Sequence, residues 1–189
     1  MGSLDRDYFY RPRKAMGMSE PPSDDSQTES SGSANPTTSV PTAEHTGSTS
    51  DELVEIIHAR GHEYVSATHT STFEITTDEY LTPAGDCILA IEADKAPSSF
   101  DTDFVSACRD ENATITLTVE SDGHEHTVVG RGDPTLALTN DRSAVGRTSS
   151  YVDDRTILVE ADCSANGFDR TLIESLQRGC PVTVTIRVS

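Results

Sequence analysis

Beyond residue 50 the chain is a succession of short apolar runs broken by Gly, Asp, Pro and Thr, and the spacing inside each run sets the element it predicts. Thr114-Ile115-Thr116-Leu117-Thr118-Val119 alternates polar and apolar with the period of a half-buried strand. With residues 125–131 it predicts a hairpin around Gly123-His124-Glu125. Leu53–Ala59 carries two signals. Thr49 and Glu52 have capping-box spacing, and Leu53, Ile56 and Ile57 have helical spacing. Against this, Gly61-His62-Glu63 recurs as Gly123-His124-Glu125, downstream of the β-branched run. Repetition outranks a short helical pattern, so 53–59 is expected to be a strand in a hairpin with 64–69.

Further strands are expected at Thr72–Thr76 and Thr135–Thr139, where apolar and polar residues alternate, followed by loops at 77–86 and 140–155. Buried-looking strands follow at Cys87–Glu92 and Thr156–Glu160, then helices over about 101–110 and 169–178, with Asp101 and Asp169 as caps and Gly179 as a stop. Much of this order is said twice. Glu92-Ala93-Asp94-Lys95, Phe100-Asp101 and Phe104-Val105 answer to Glu160-Ala161-Asp162-Cys163, Phe168-Asp169 and Leu172-Ile173. The expected fold is therefore α+β and internally duplicated: strand-strand-strand-helix twice plus a closing strand, about nine strands and two helices with pseudo-twofold symmetry. The sheet is expected as a partly closed barrel flanked by the helices, or as two packed sheets. A doubly wound parallel sheet does not fit this order. Residues 51–189 form one domain in this reading, with repeats at about 53–113 and 114–189.

Residues 19–50 hold almost no large apolar side chain, so 1–50 is expected to be a disordered polar, acidic tail. Its first 17 residues are unlike the rest, with Tyr8, Phe9, Tyr10, Arg6, Arg11, Arg13 and Lys14, which raises Met16 or Met18 as the true initiator. Asp and Glu total 32 against 14 Lys and Arg, a formal charge of -18, and Lys14 and Lys95 are the only lysines. Such self-repulsion is screened in molar salt, so the composition reads as a halophilic archaeal cytoplasmic protein. It argues against nonspecific nucleic-acid binding, which needs clustered cations. Cys87, Cys108, Cys163 and Cys180 lack metal or redox spacing and read as reduced thiols. No apolar run approaches a membrane span.

Ala59-Arg60-Gly61-His62, Ala67-Thr68-His69-Thr70-Ser71-Thr72, Leu81-Thr82-Pro83-Ala84-Gly85-Asp86, Ala93-Asp94-Lys95, Val129-Gly130-Arg131-Gly132 and Asp154-Arg155-Thr156 occur in an order that resembles the archaeal family called domain of unknown function 371. The resemblance spans roughly 53–189 and implies an archaeal cytosolic protein without implying an activity. The family pattern has a His where Asp133 stands and a second Ala-Asp-Lys where Cys163 stands, so a site using either position is altered or absent here.

His69, at a strand end before a Thr-rich stretch, is the first candidate for acid-base work, with Asp86 or Asp94 to orient it. Its equivalent by repetition is Gly132. Lys95, beside only the first of the repeated acids Asp94 and Asp162, and Arg131 in Gly130-Arg131-Gly132-Asp133-Pro134 are candidates to hold an anion, with Arg147 and Arg155 from the long loop. Each also has a plain role: a strand-end His bonded locally, Asp caps at turns, surface cations among many acids. His124 and His126 share a strand face, but two ligands do not make a metal site, and no metal is expected. No hydrolase, zinc-protease or dinucleotide motif is present, and the sequence leaves any cofactor unknown. Three functions fit: a module binding a small anionic molecule in the groove between repeats, an enzyme using His69 there, or an interaction subunit without a small-molecule site. Convergence of His69, Lys95 and Arg131 in one cavity would favour the first two.

Overall fold

The computed structural model of the chain describes residues 53–189; the expected disordered tail and the alternative initiators Met16 and Met18 lie outside the described residues. The elements run β1 (Leu53–Arg60), β2 (Thr72–Thr76), β3 (Ile88–Ala90), a 3-10 turn (Pro97–Ser99), α1 (Thr102–Cys108), β4 (Thr114–Ser121), β5 (His124–Arg131), β6 (Ser143–Arg147), β7 (Thr156–Leu158), a second 3-10 turn (Ala165–Gly167), α2 (Arg170–Gln177) and β8 (Pro181–Val188). The α+β class is borne out. Among the described residues there are eight strands, not nine, in two four-stranded sheets of order β1-β8-β4-β5 and β3-β2-β6-β7. The first is antiparallel throughout; in the second, an antiparallel β2–β6 centre is flanked by parallel β3 and β7. The sheets meet at single-residue bridges, Arg60 to Ile91 and Arg131 to Val159, and form no closed barrel. Exchanging β1–β4 with β5–β8 leaves both strand orders unchanged.

The helices start where the sequence places them. The Asp101 carboxylate accepts the Asp103 N–H at 2.8 Å, and Asp169 accepts those of Thr171 and Leu172 at 2.8 and 3.2 Å, satisfying first-turn amides that lack helical partners. Gly179 ends α2 with φ +74, the left-handed conformation that glycine adopts without strain. The alternating inner faces of β4 and β8 (Ile115, Leu117 and Val119; Val182, Val184 and Ile186) pack with Phe73, Phe104, Phe168 and Leu172 in one core. No helix of the described residues is long and apolar enough to cross a membrane.

Two expected strands are absent. Residues 64–69 do not pair with β1, which pairs instead with β8 from Leu53↔Val188 to Arg60↔Pro181. The segment leaves the sheet at Gly61 and runs beside α2, whose Gln177 Nε2 donates to the Val65 carbonyl at 2.8 Å. Residues 135–139 also form no strand; Arg109, the cap residue of α1, donates to the Leu136 and Ala137 carbonyls at 2.7 and 3.1 Å. Leu136 and Leu138 are buried as their alternation implies, but helix-end side chains take the backbone acceptors, and Leu138 turns to φ 51. The strand that forms is β6, inside the stretch expected as a loop. The β4–β5 hairpin is as expected.

Candidate functional site

The interchange of halves gives each candidate a partner for comparison. Asp94 accepts the His58 N–H at 2.9 Å, and Asp162 accepts the Val129 N–H at 3.0 Å, each also donating its own N–H to the same strand residue's carbonyl. These aspartates pin the segment after β3 or β7 to the edge of the first sheet. Arg60 and Arg131 are a second such pair. Arg60 meets Glu92 at 2.6 Å and Arg131 meets Glu160 at 3.4 Å, beside the two sheet-joining bridges. Glu92 and Glu160 both turn to positive φ there, 54° and 50°. Arg131 therefore braces a corner of the fold, and Gly132 follows it because a Cβ there would lie 2.4–2.5 Å from the Asp110 and Cys108 carbonyl oxygens.

His69 sits just before β2. Its Nδ1 accepts the Thr72 N–H at 3.2 Å and lies 2.8 Å from the Thr72 hydroxyl. An Nδ1 that accepts places the neutral ring's proton on Nε2. The position that matches His69 is Asn140, whose Oδ1 accepts the Ser143 N–H at 2.8 Å in front of β6; Gly132 matches Gly61 instead. Asp86 reaches His69 through its backbone carbonyl, which accepts the His69 N–H at 3.2 Å. Arg147 and Arg155 come together on Asp153, at 2.6 and 3.0 Å, with Tyr151 stacked 4.9 Å from the Arg147 guanidinium. Burial of Asp153 opposes its ionisation, but hydrogen bonds from Thr156, Arg147 and Arg155 outweigh it and hold the carboxyl at about 2. The two arginines already grip a carboxylate of their own chain. His69, Lys95 and Arg131 do not converge: Arg131 lines a small cleft of about 160 Å³ with Glu111, Asp133 and Glu160, and Lys95 is engaged elsewhere.

That engagement has no counterpart at the position reached by exchanging β1–β4 with β5–β8. Lys95 Nζ meets Glu55 Oε2 at 2.7 Å, and Glu55 Oε1 accepts the Asp101 N–H at 2.6 Å. Glu55 lies on β1 facing the core and is 5% exposed. On β5 the matching inward position is His126, and the residue after Asp162 is Cys163. There the chain leaves a cleft of about 380 Å³, lined by His126, Thr127, Thr148, Asp162, Cys163 and Asn166 among others. The His126 ring packs against Phe168, with centroids 4.6 Å apart, and its nitrogens have no hydrogen-bond partner among the described residues. One Asp162 oxygen holds the Val129 N–H, Ser164 donates its hydroxyl to Asn166 Oδ1, and the Cys163 thiol faces the Ser164 carbonyl at 3.1 Å. Burial, and then the Asp162 charge, push the Cys163 thiol upward, which makes it a poor thiolate nucleophile. The far rim touches the first half: Asn166 N–H donates to the His69 carbonyl at 3.1 Å and Thr148 N–H to that of Ser71 at 3.0 Å. Among the described residues no group of three or more His, Cys, Asp or Glu is arranged to hold a metal.

Cys163 is visible in the sequence as the mismatch to Lys95, but His126 is not visible as the mismatch to Glu55. Aligning the two Gly-His-Glu triplets sets β1 against β4, whereas in space β1 matches β5. A search for the inward residue of the strand that ends in Arg60 or Arg131 exposes the pair.

Residues 57–189 match the family described as Domain of unknown function (DUF371). An uncharacterised protein of the archaeon Methanocaldococcus jannaschii is 39% identical over 124 residues, covering 66% of this chain and 91% of the relative. The chain belongs to the archaeal DUF371 family.

Proposed function

We propose that the protein is a binding module for a small polar molecule, held in the cleft between β5 and residues 162–167 where the second half meets the first. In this reading the ordered region consists of two copies of one unit, matched as 53–121 and 124–188, and works in a salt-adapted cytoplasm. The observation that carries it is the contrast at one place in the fold: the chain's own Glu55–Lys95 pair in the first half, and an open polar cleft floored by His126 and Cys163 in the second. Concave sites with a few convergent polar groups are where small ligands bind.

Catalysis is the weaker reading. His69 Nδ1 is committed to Thr72, in the role Asn140 plays opposite, and Cys163 lacks the electropositive surroundings of a nucleophile. Arg147 and Arg155 would have to release Asp153 before taking an outside anion.

The test is a thermal-shift screen in high salt with polar metabolites, nucleotides, phosphosugars and divalent metals, followed by amide-shift mapping. A stabilising compound that moves the resonances of His126 and 162–167 supports the cleft. Stabilisation mapping elsewhere, or no response to the screen with those resonances still, overturns it and favours an interaction subunit.

A further inference from the structure

We infer that the ligand of this cleft carries an aliphatic ammonium group, whose arm lies where the Lys95 side chain lies in the other half; the inference rests on the binding reading above. Three observations lead to it. First, Asp162 is the only Asp, Glu, Lys or Arg among the described lining residues, and one of its two oxygens has no hydrogen-bond partner among the described residues. Among the described residues no Lys or Arg lines the cleft, so in a chain of charge -18 a cation is drawn in and an anion repelled. Second, the matching place is filled by an ammonium supplied by the chain itself, Lys95 Nζ on Glu55 at 2.7 Å. Cys163 has the lysine position but stops at its sulfur, so the space that the outer methylenes and ammonium take in the first half is left open beside a thiol of low polarity, a surface suited to an alkyl chain.

Third, the acceptors that the described lining leaves open include a carboxylate, which no described Lys or Arg answers. Asp162 supplies its free oxygen and a neutral His126 ring one acceptor nitrogen, beside that ring's own N–H and the Asn166 amide as donors. The Cys163, Ser164 and Thr148 donors are already spent on Ser164 O, Asn166 Oδ1 and Ser71 O. An ammonium brings three donors and a positive charge to the Asp162 and His126 acceptors, whereas a carboxylate or phosphate would set its negative charge beside Asp162.

The experiment titrates the full chain, at a salt concentration where it is folded, with n-butylamine, 1,4-diaminobutane, 1-butanol and butyrate, following the amide shifts of His126 and 162–167. The amines are expected to bind about tenfold tighter than the alcohol of the same length, with butyrate weakest. A second arm uses Cys163→Lys and the double variant His126→Glu/Cys163→Lys, which rebuilds the pair of the other half; both are expected to lose amine binding about tenfold or more while keeping native amide dispersion. If butanol or butyrate moves the cleft resonances as strongly as the amines, the ammonium inference falls and the cleft reading stands. If neither these probes nor the broader screen moves them, both fall. If the lysine variants do not fold, the ranking of the four probes on the unmodified chain decides alone. Amine binding that survives in a folded double variant also overturns the inference.

Discussion

Lys95→Met tests the asymmetry between the halves directly. The substitution keeps most of the aliphatic stem and removes the ammonium, leaving the 5%-exposed Glu55 carboxylate with the Asp101 N–H at 2.6 Å as its one remaining partner among the described residues. Removing one partner of a fully buried pair costs about 3–5 kcal/mol, because a charge is left uncompensated away from water. Lys95 is a third exposed, so solvent already screens part of the attraction and can approach Glu55 once the ammonium is gone; about 2 kcal/mol is the expected loss. For an ordered region of this size that is a fall in Tm of roughly 6–10 °C. Glu55→Gln gives up the charge but leaves Lys95 free to reach water, and is expected to cost about 1 kcal/mol through the weaker hydrogen bond to Asp101. Glu55→Gln/Lys95→Met removes the uncompensated charge and is expected to recover about 1 kcal/mol of the summed single losses. Denaturant unfolding of the four proteins at one salt concentration, with unchanged m-values, measures the cycle. A coupling within about 0.3 kcal/mol of zero would show that the pair is an incidental surface contact. The contrast with His126 and Cys163 would then lose its energetic meaning.

Three further outcomes follow from the same geometry. His69→Asn is expected to change stability by less than about 0.5 kcal/mol, since Asn140 makes the same cap in front of β6, whereas His69→Ala is expected to lose about 1 kcal/mol in the same unfolding assay; equal losses would contradict the capping role. Gly146→Ala would place a Cβ 2.1–2.8 Å from three Phe73 ring carbons and is expected to lower stability by about 1–3 kcal/mol, read as a fall in Tm. Asp153 has a folded pKa of about 2, below the roughly 3.9 of an unfolded Asp, so the stability it contributes is present above about pH 4 and is lost as pH falls toward 2. With solvent screening this amounts to about 1–2 kcal/mol, and Asp153→Asn is expected to flatten that part of the curve of unfolding free energy against pH.

The helices and their caps were legible because their signals are local: Asp101 and Asp169 each satisfy amides two or three residues away. The β4–β5 hairpin was legible for the same reason. What failed was partner choice. Leu53–Arg60 has the pattern of a strand, but nothing within it says that its partner is Pro181–Val188, at the far end of the chain, instead of the next segment. Extended segments that alternate also need not be strands. Thr135–Thr139 buries Leu136 and Leu138, yet its acceptors go to the Arg109 side chain, and that choice depends on where α1 ends in space. Residues 143–147 were hidden by the opposite effect. Ser143, Ala144, Val145 and Gly146 are all buried, so the strand shows no alternation and contains a glycine, as a central strand packed on both faces can.

The site was half legible for a physical reason. Positions that fasten one sheet to the other must be filled alike in both halves, and they are: Asp94 and Asp162, Arg60 and Arg131, Glu92 and Glu160. A half-buried ion pair follows a different rule, because changing one member leaves the other without its partner. A half with Glu55 on its inward strand and a cysteine after its aspartate would hold a stranded carboxylate; one with His126 and a lysine would hold two groups that repel whenever the imidazole is charged. The chain holds neither mixture. Glu55 occurs with Lys95 and His126 with Cys163, although 40 residues separate the first two and 37 the second two. Cys163 is therefore to be taken together with His126 on β5, as Lys95 is with Glu55 on β1. The two differences stand together: Glu55 and Lys95 fill a core-edge position beside β1, and His126 and Cys163 line an open cleft beside β5.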